Sequence, residues 1–142
     1  MKRKTANIFC LLLALTVLGV ITTGCSESGP EIYEVSGTIS YQGEPIPNID
    51  IIFVPEDTVN FKESRATSDD EGKFVMSYTY ELDGVAPGAH TIYVEDPAAL
   101  HGGQSSTDAS YVAICQKYGS EETSTMTLTV DSDLVDHALD FE

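Results

Sequence analysis

Residues 65–80, RATSDDEGKFVMSYTY, decide the fold of this 142-residue chain. The central Asp69-Asp70-Glu71-Gly72 is typical of a tight turn, because aspartate bonds its own backbone and glycine tolerates a positive φ. On both sides of this turn, apolar and polar side chains alternate with the period of a half-buried strand. The pattern predicts a short strand over 65–68 and a returning strand over 73–80. Three side chains of the returning strand are expected on one face: Phe74, Met76 and Tyr78.

Similar strand patterns recur along the rest of the chain. Val35–Tyr41 alternates and is followed by a Gln42-Gly43 turn. Ile49–Val54 is a dense apolar run, which predicts a central strand that Pro55 ends because proline cannot donate to a ladder. Later strands are predicted at His90–Glu95, Thr125–Val130 and Val135–Phe141, the last with Val135, Leu139 and Phe141 on one face. About seven short strands without a long helix predict an all-β sandwich.

One long segment, Pro97–Thr123, does not fit the strand pattern. It contains Gly102-Gly103 and several Ser and Asp residues, which predict a long crossover loop. A short helical turn is expected within it around Ala109–Ile114. Since long loops in compact domains often carry function, this loop is a candidate interaction site.

The order of these motifs resembles the transthyretin-like, carboxypeptidase-regulatory-like domain. The resemblance covers most of residues 33–142 and rests on the following segments: VSGTI at 35–39, GEPI at 43–46, IIFVP at 51–55, ATSDDEGKF at 66–74 and PGAHTIYV at 87–94. The ending, with KYGS at 117–120 and LDF at 139–141, is similar to that of small bacterial lipoproteins built from one such domain. The resemblance implies a Greek-key β-sandwich of about seven strands.

The resemblance also implies a structural or accessory role for the domain and no catalytic activity. One transthyretin-like branch hydrolyses 5-hydroxyisourate and ends in Tyr-Arg-Gly-Ser, whereas residues 137–142 here are HALDFE. That activity is therefore not carried over. His101-Gly102-Gly103 is similar to a lipase oxyanion loop, but the chain has no Gly-x-Ser-x-Gly motif to present a nucleophile. No catalytic residue is assigned, and we expect that the protein is not an enzyme.

The N-terminal segment has the layout of an export signal. Lys2, Arg3 and Lys4 precede an apolar run over 8–21, which is shorter than the roughly 20 residues of a membrane-spanning helix. The following Thr22-Thr23-Gly24-Cys25 resembles a lipobox, which implies cleavage before Cys25 and attachment of lipid to its sulfur. The alternative is an ordinary secretory signal that is cleaved nearby and leaves Cys25 as a free thiol.

These features predict three regions: residues 1–24 as a lipoprotein signal peptide, 25–31 as a lipidated N-terminus and flexible tether, and 32–142 as the β-sandwich domain. The lipid would hold the protein on a membrane. Ser26 follows the cysteine, and in lipoproteins of double-membraned bacteria a residue other than Asp there implies export to the outer membrane.

The charge of the chain excludes several classes of partner. Seven Lys and Arg residues stand against 23 Asp and Glu residues, which gives a formal charge of -16. Removing residues 1–24 removes three basic residues, so the mature charge is 4 minus 23, or -19. Nucleic acid is not an expected partner, because its recognition needs a basic face. Cations are favoured by this charge, but the acidic turn at 69–72 lacks the alternating carboxylates of a calcium loop, so no metal site is assigned.

The remaining candidate functional residues are one cysteine, three histidines and five tyrosines. Cys115 is expected to pack as a small hydrophobe beside Val112 and Ile114. His90, His101 and His137 are too far apart in sequence for a local ligand pair, although separate strands could bring two of them together. We expect His90 on a strand and His101 in solvent. Five tyrosines are candidates for a sugar-binding platform: Tyr33, Tyr41, Tyr78, Tyr80 and Tyr93.

Two functional hypotheses follow from the sequence. The first is a membrane-anchored cell-envelope lipoprotein whose β-sandwich binds another envelope protein or a surface polymer, through a sheet edge or through Pro97–Thr123. The alternative is a glycan-binding or calcium-binding accessory domain of an envelope enzyme or transport system. No cofactor is expected under either hypothesis.

Overall fold

The structure, a computed structural model, describes residues 29–142. The expected signal peptide, the lipidation site Cys25 and the first tether residues lie outside the described residues. Ten strands and two helices occur in the described part of the chain. The strands are β1 (Val35–Tyr41), β2 (Glu44–Pro45), β3 (Asp50–Pro55), β4 (Ser64–Thr67), β5 (Lys73–Val75), β6 (Ser77–Thr79), β7 (Leu82–Asp83), β8 (Gly88–Glu95), β9 (Met126–Val130) and β10 (Leu134–Phe141). The helices are α1 (Pro97–His101) and α2 (Ala109–Tyr118).

The strands form two sheets that share one core. The four-stranded sheet has the order β10-β1-β2, with β5 also paired to β1, and the six-stranded sheet has the order β7-β6-β4-β3-β8-β9. Strands β1 and β10 pair in parallel, and the other strand pairs are antiparallel. Both sheets contribute fully or almost fully buried side chains to the core, among them Val35, Ile39, Leu139, Ile51, Phe53 and Ile92. The predicted mainly β architecture in two sheets is confirmed, although the described residues form ten strands and not about seven.

The predicted hairpin over 65–80 is only partly correct. Its turn is confirmed, since the Asp69 carboxylate accepts hydrogen bonds from the Glu71 and Lys73 amides at 2.9 and 2.8 Å. The returning segment, however, splits between the two sheets: β5 pairs with β1, and only β6 pairs with β4. The change of sheet occurs at Met76, whose amide donates to the Val35 carbonyl at 2.8 Å. The predicted burial of Phe74, Met76 and Tyr78 is correct. Half of the predicted strand pairing is wrong, because alternation shows which side chains are buried and does not specify the neighbouring strand.

Strand β3 is the central strand that the apolar run predicted. It lies between β4 and β8, with Ile51 and Phe53 in the shared core. Ile52 points to the opposite face and is also fully buried, between the cross-strand neighbours Arg65 and Tyr93. A strand buried on both faces reads as a continuous apolar run, which is why Ile49–Val54 does not alternate.

A bulge in β10 overturns one predicted face. Val35 of β1 pairs with Leu134, but Gly37 pairs with His137, so two steps along β1 match three along β10. Asp136 absorbs the extra residue with a φ of 57°. The alternation therefore shifts by one residue: Val135 is 58% exposed, while Leu139 and Phe141 are buried as expected. The expectation that Val135 shares their face is wrong.

The expected loop over 97–123 contains two capped helices. The Asp96 carboxylate accepts a hydrogen bond from the Ala98 amide at 2.9 Å and begins α1, and Asp108 likewise caps α2 at the Ser110 amide. Helix α2 extends beyond the short helical turn predicted around 109–114. Its side chains at spacings of three and four residues enter the core: Tyr111, Ile114 and Tyr118. The expectation of a long, mostly irregular loop is therefore wrong for this stretch.

Helix α2 lies across one end of the sandwich. The Tyr111 hydroxyl, near its start, donates to the Asn48 carbonyl just before β3. The Tyr118 hydroxyl, at its last residue, donates to the Glu142 carbonyl just after β10, and its ring meets Phe141 edge-on at 4.8 Å between centroids. Within residues 29–142, neither helix has the length and apolar character needed to cross a bilayer.

The β10 bulge depends on the absence of a side chain at Gly37. A Cβ at this position would lie 1.8 Å from the His137 carbonyl oxygen. We expect Gly37→Ala to lower the free energy of unfolding by at least about 2 kcal/mol, because β1 and β10 must move apart. Urea denaturation measures this change. Gly29→Ala is the matched control, since a Cβ there meets no atom within 4 Å; equal stability of the two variants would contradict the role of Gly37.

Candidate functional site

The sandwich has two ends with different contents. The chain enters β1 at one end, which we call the entry end. There Tyr33 pairs with Val85, and the Glu34 amide donates to the Asp133 carboxylate at 2.9 Å. Because β10 runs parallel to β1, both strands end at the opposite side of the domain. That side, the distal end, carries residues 42–48, the two helices and the segment between them.

A groove at the distal end is formed by two adjacent cavities of about 470 and 270 Å³. The cavities share Pro47, Ser106 and Tyr111, and we call them together the distal groove. Its remaining walls come from the β1–β3 connection and from the helical segment: Glu44, Pro45, Asn48, Asp96, Pro97, Ala98, Gln104, Asp108 and Ser110. Proline rings and carboxylates thus lie side by side along one concave surface.

The floor of the distal groove is held by the Tyr111 hydroxyl. It lies 3.2 Å from the Asn48 carbonyl and 3.1 Å from the Asp96 carboxylate, so its single proton is shared between two acceptors. Hydrogen bonds from Ser105, from the Ala98 amide and from Tyr111 lower the pKa of Asp96. Burial and the neighbouring Asp96 raise the pKa of Tyr111. Asp96 is therefore an ionised acceptor and Tyr111 a neutral donor at neutral pH, which fixes the walls of the groove relative to each other.

The geometry of the distal groove favours a binding role. The groove offers hydroxyl, carbonyl and carboxylate oxygens beside the rings of Pro45, Pro47 and Pro97. Its carboxylates Asp96 and Asp108 already accept hydrogen bonds as helix caps. Sequence reasoning did not identify this groove, although the Asp108 cap and the spacing of Tyr111, Ile114 and Tyr118 are readable signals of the helix that builds it.

The acidic turn uses its side chains within the protein. The Asp69 carboxylate binds backbone amides of its own turn, Asp70 accepts a hydrogen bond from the Asn48 amide group at 3.1 Å, and Glu71 pairs with Lys73 at 2.9 Å. Across residues 29–142, no group of three or more His, Cys, Asp and Glu side chains is placed to hold a metal ion.

The five candidate tyrosines do not form one surface. Tyr78 is buried and its hydroxyl accepts from the Lys62 amide at 3.3 Å, whereas Tyr80 is fully exposed. Tyr93 lies on the outer face of the six-stranded sheet, and Tyr33 and Tyr41 stand at opposite ends of β1. The structure therefore assembles no platform from all five tyrosines, although Tyr78 and Tyr80 line one cavity.

Cys115 packs against the core, as predicted. It is half-buried beside the buried Ile114, although Val112 on the same helix is exposed. Burial, with a smaller contribution from the negative charge of Asp96, raises the pKa of the Cys115 thiol to about 11. The thiol is therefore protonated and weakly nucleophilic at neutral pH.

The three histidines lie on separate elements: His90 on β8, His101 in α1 and His137 on β10. His101 is exposed and His90 is on a strand, as expected. His90 is 1% exposed, its Nδ1 lies 3.0 Å from the Gly88 carbonyl, and its Nε2 is buried with no hydrogen-bond partner among the described residues. Burial lowers the pKa of His90, and this effect exceeds the opposing influence of the Gly88 carbonyl and Glu56.

We expect His90 to make the fold sensitive to mild acid. Above its ordinary pKa of 6.5 the imidazole is neutral in the folded and unfolded chains, so stability is unaffected. Below 6.5 the unfolded chain binds a proton that the folded chain resists, so the free energy of unfolding falls by at most about 1.4 kcal/mol per pH unit. Urea denaturation between pH 7 and 5 measures this slope.

His90→Leu should flatten the slope between pH 7 and 5, and the exposed control His101→Gln should leave it unchanged. A slope that persists in His90→Leu would show that another group titrates in this range.

No family model, curated protein sequence or solved structure matches the chain.

Proposed function

We propose that the protein is an exported, lipid-anchored lipoprotein of the cell envelope that acts by binding and not by catalysis. The observation that carries this proposal is the separation of the two ends of the domain. The chain enters at one end, within ten residues of Cys25, and the distal groove lies at the other. Ten extended residues reach about 33 Å. A lipid at Cys25 would thus tether the domain by its entry end and leave the distal groove free to face away from the membrane.

We further propose that the domain is a transthyretin-like sandwich with Greek-key topology. Support comes from the motifs that carry the resemblance, since they occupy strands and turns of the fold. The VSGTI motif at 35–39 lies in β1, IIFVP at 51–55 in β3 and the PGAHTIYV motif at 87–94 largely in β8. The acidic motif at 66–74 supplies the connection from β4 to β5. In this fold the domain serves as a structural or protein-interaction module.

The distal groove is favoured over the edge of β10 as the binding surface. Strand β10 pairs only with β1, so its outer edge is open. The edge is interrupted by the bulge at Asp136, whose exposed side chain also adds a negative charge there. Bulges and charges are the features that protect edge strands from adding a foreign strand. We therefore place the contact with an envelope protein or surface polymer at the distal groove.

The lipid anchor is tested by the intact mass and membrane partition of natively expressed protein. We expect the wild-type protein to begin at Cys25, to carry the added mass of a lipid and to partition with membranes. Cys25→Ala should lose the added mass and the membrane association together, whereas Cys115→Ala should retain both because Cys115 is half-buried in the fold. A soluble wild-type product without added mass would contradict lipidation and support the ordinary secretory signal.

The distal groove is tested by photo-crosslinking in intact cells. Deleting 97–123 is unsuitable, because it removes the core residues Tyr111, Ile114 and Tyr118. A photoreactive residue at the exposed Ser106 of the groove should instead give a specific crosslinked product. The control position is the exposed Thr129 on β9, which should give none. Equal crosslinking from the two positions, or none from Ser106, would count against the groove as the contact surface.

A further inference from the structure

A second concave surface lies near the entry end, beside the turn between β6 and β7. This trough has a volume of about 630 Å³, within the range of natural small-ligand sites. Tyr78 contributes to its lining, together with six residues of mixed polarity: Lys62, Glu63, Arg65, Ser77, Thr79 and Tyr80. The trough shares no lining residue with the distal groove.

Tyr80 supplies an unpacked aromatic ring to the trough. It follows β6 in the turn to β7, and its relative exposure is 103%. Aromatic side chains normally bury a large apolar area, so a ring left entirely in solvent next to a cavity is available for stacking. A ligand with a flat apolar face would cover this ring.

Apart from Lys62, the charged groups of the trough are paired within the protein. Arg65 pairs with Glu63 through Nε at 2.9 Å and with Glu95 through a terminal nitrogen at 3.0 Å. The Lys62 ammonium lies 5.9 Å from the centre of the Tyr78 ring, and Ser77 donates to Asp83 at 2.8 Å. These contacts orient donors and acceptors without leaving a cluster of unpaired positive charge. The site is therefore suited to an uncharged, hydrogen-bonding ligand.

The charge of the domain also disfavours an anionic ligand. Residues 29–142 carry 22 acidic and four basic side chains, since Glu27 and the three basic residues at 2–4 lie outside them. Two of the four basic side chains, Lys62 and Arg65, line the trough, but Glu63 accompanies them. An acidic polymer would be repelled by the whole domain before it reached this site.

We propose that the trough binds a neutral saccharide. A sugar ring combines an apolar C–H face, which would stack on Tyr80, with a belt of hydroxyl groups that can accept from Arg65 and donate to Glu63. The proposal goes beyond the lipid-anchored binding role and uses a different surface. It holds whether or not Cys25 is lipidated, so the two can fail independently.

The proposal is tested by native gel electrophoresis of the purified exported protein in gels that contain dextran, galactomannan or glucomannan. The acidic protein migrates quickly, so retardation by a neutral polymer is easily measured. We expect at least one of the three polymers to retard the wild-type protein, and Tyr80→Phe to be retarded equally. Tyr80→Ala should bind that polymer about ten-fold more weakly. Leu100→Ala is the matched control, because Leu100 is an exposed apolar residue outside the trough.

Unchanged mobility of the wild-type protein in all three gels overturns the proposal. Retardation that Tyr80→Ala leaves intact also overturns it, as does retardation by polygalacturonate alone, which would indicate an anionic ligand. Thermal unfolding of each variant confirms that the fold is kept; the full exposure of Tyr80 predicts an unchanged melting temperature.

Discussion

The close approach of β1 to its neighbours is the constraint on which the rest of the fold depends. This strand pairs with β10 on one side and with β2 and β5 on the other. Its inward side chains Val35 and Ile39 are completely buried. Gly37, the position without a side chain, lies against the bulged β10 backbone, where a Cβ would be 1.8 Å from the His137 carbonyl oxygen. Since β5 leaves β1 at Met76 to continue as β6, the same strand fixes where the chain passes into the six-stranded sheet.

Much of the fold was predictable from the sequence because alternation reports burial directly. The inward side chains of β5 and β6 are those expected, and β3 is the central strand that its apolar run indicated. Alternation does not report which strand lies alongside, so the transfer of Lys73–Val75 to β1 was missed. Alternation also does not reveal an inserted residue. The bulge at Asp136 inserts one, so Val135 faces the side opposite to the one predicted.

The candidate site was less predictable than the fold for a related reason. Pro47, Asp96 and Ser106 are distant in sequence and meet only because β3 and β8 are neighbours and α2 crosses the end of both sheets. Nothing in local composition specifies that crossing. The helix itself was within reach of sequence analysis, since Asp108 stands at its cap and Tyr111, Ile114 and Tyr118 share one face. The Gly and Ser residues before it suggested an irregular loop instead.

The parallel pairing of β1 with β10 also has a consequence for the order of events in biosynthesis. Ser40 on β1 bonds Asp140 on β10 at 2.7 Å, across 100 positions of the chain. A polypeptide that emerges N-terminus first presents β1 long before β10 is free, and contacts of such separation form late and slowly. The four-stranded sheet cannot close until residue 141 has been released. Until then the polypeptide lacks a completed tertiary structure, because the edge of β1 that pairs with β10 has no partner.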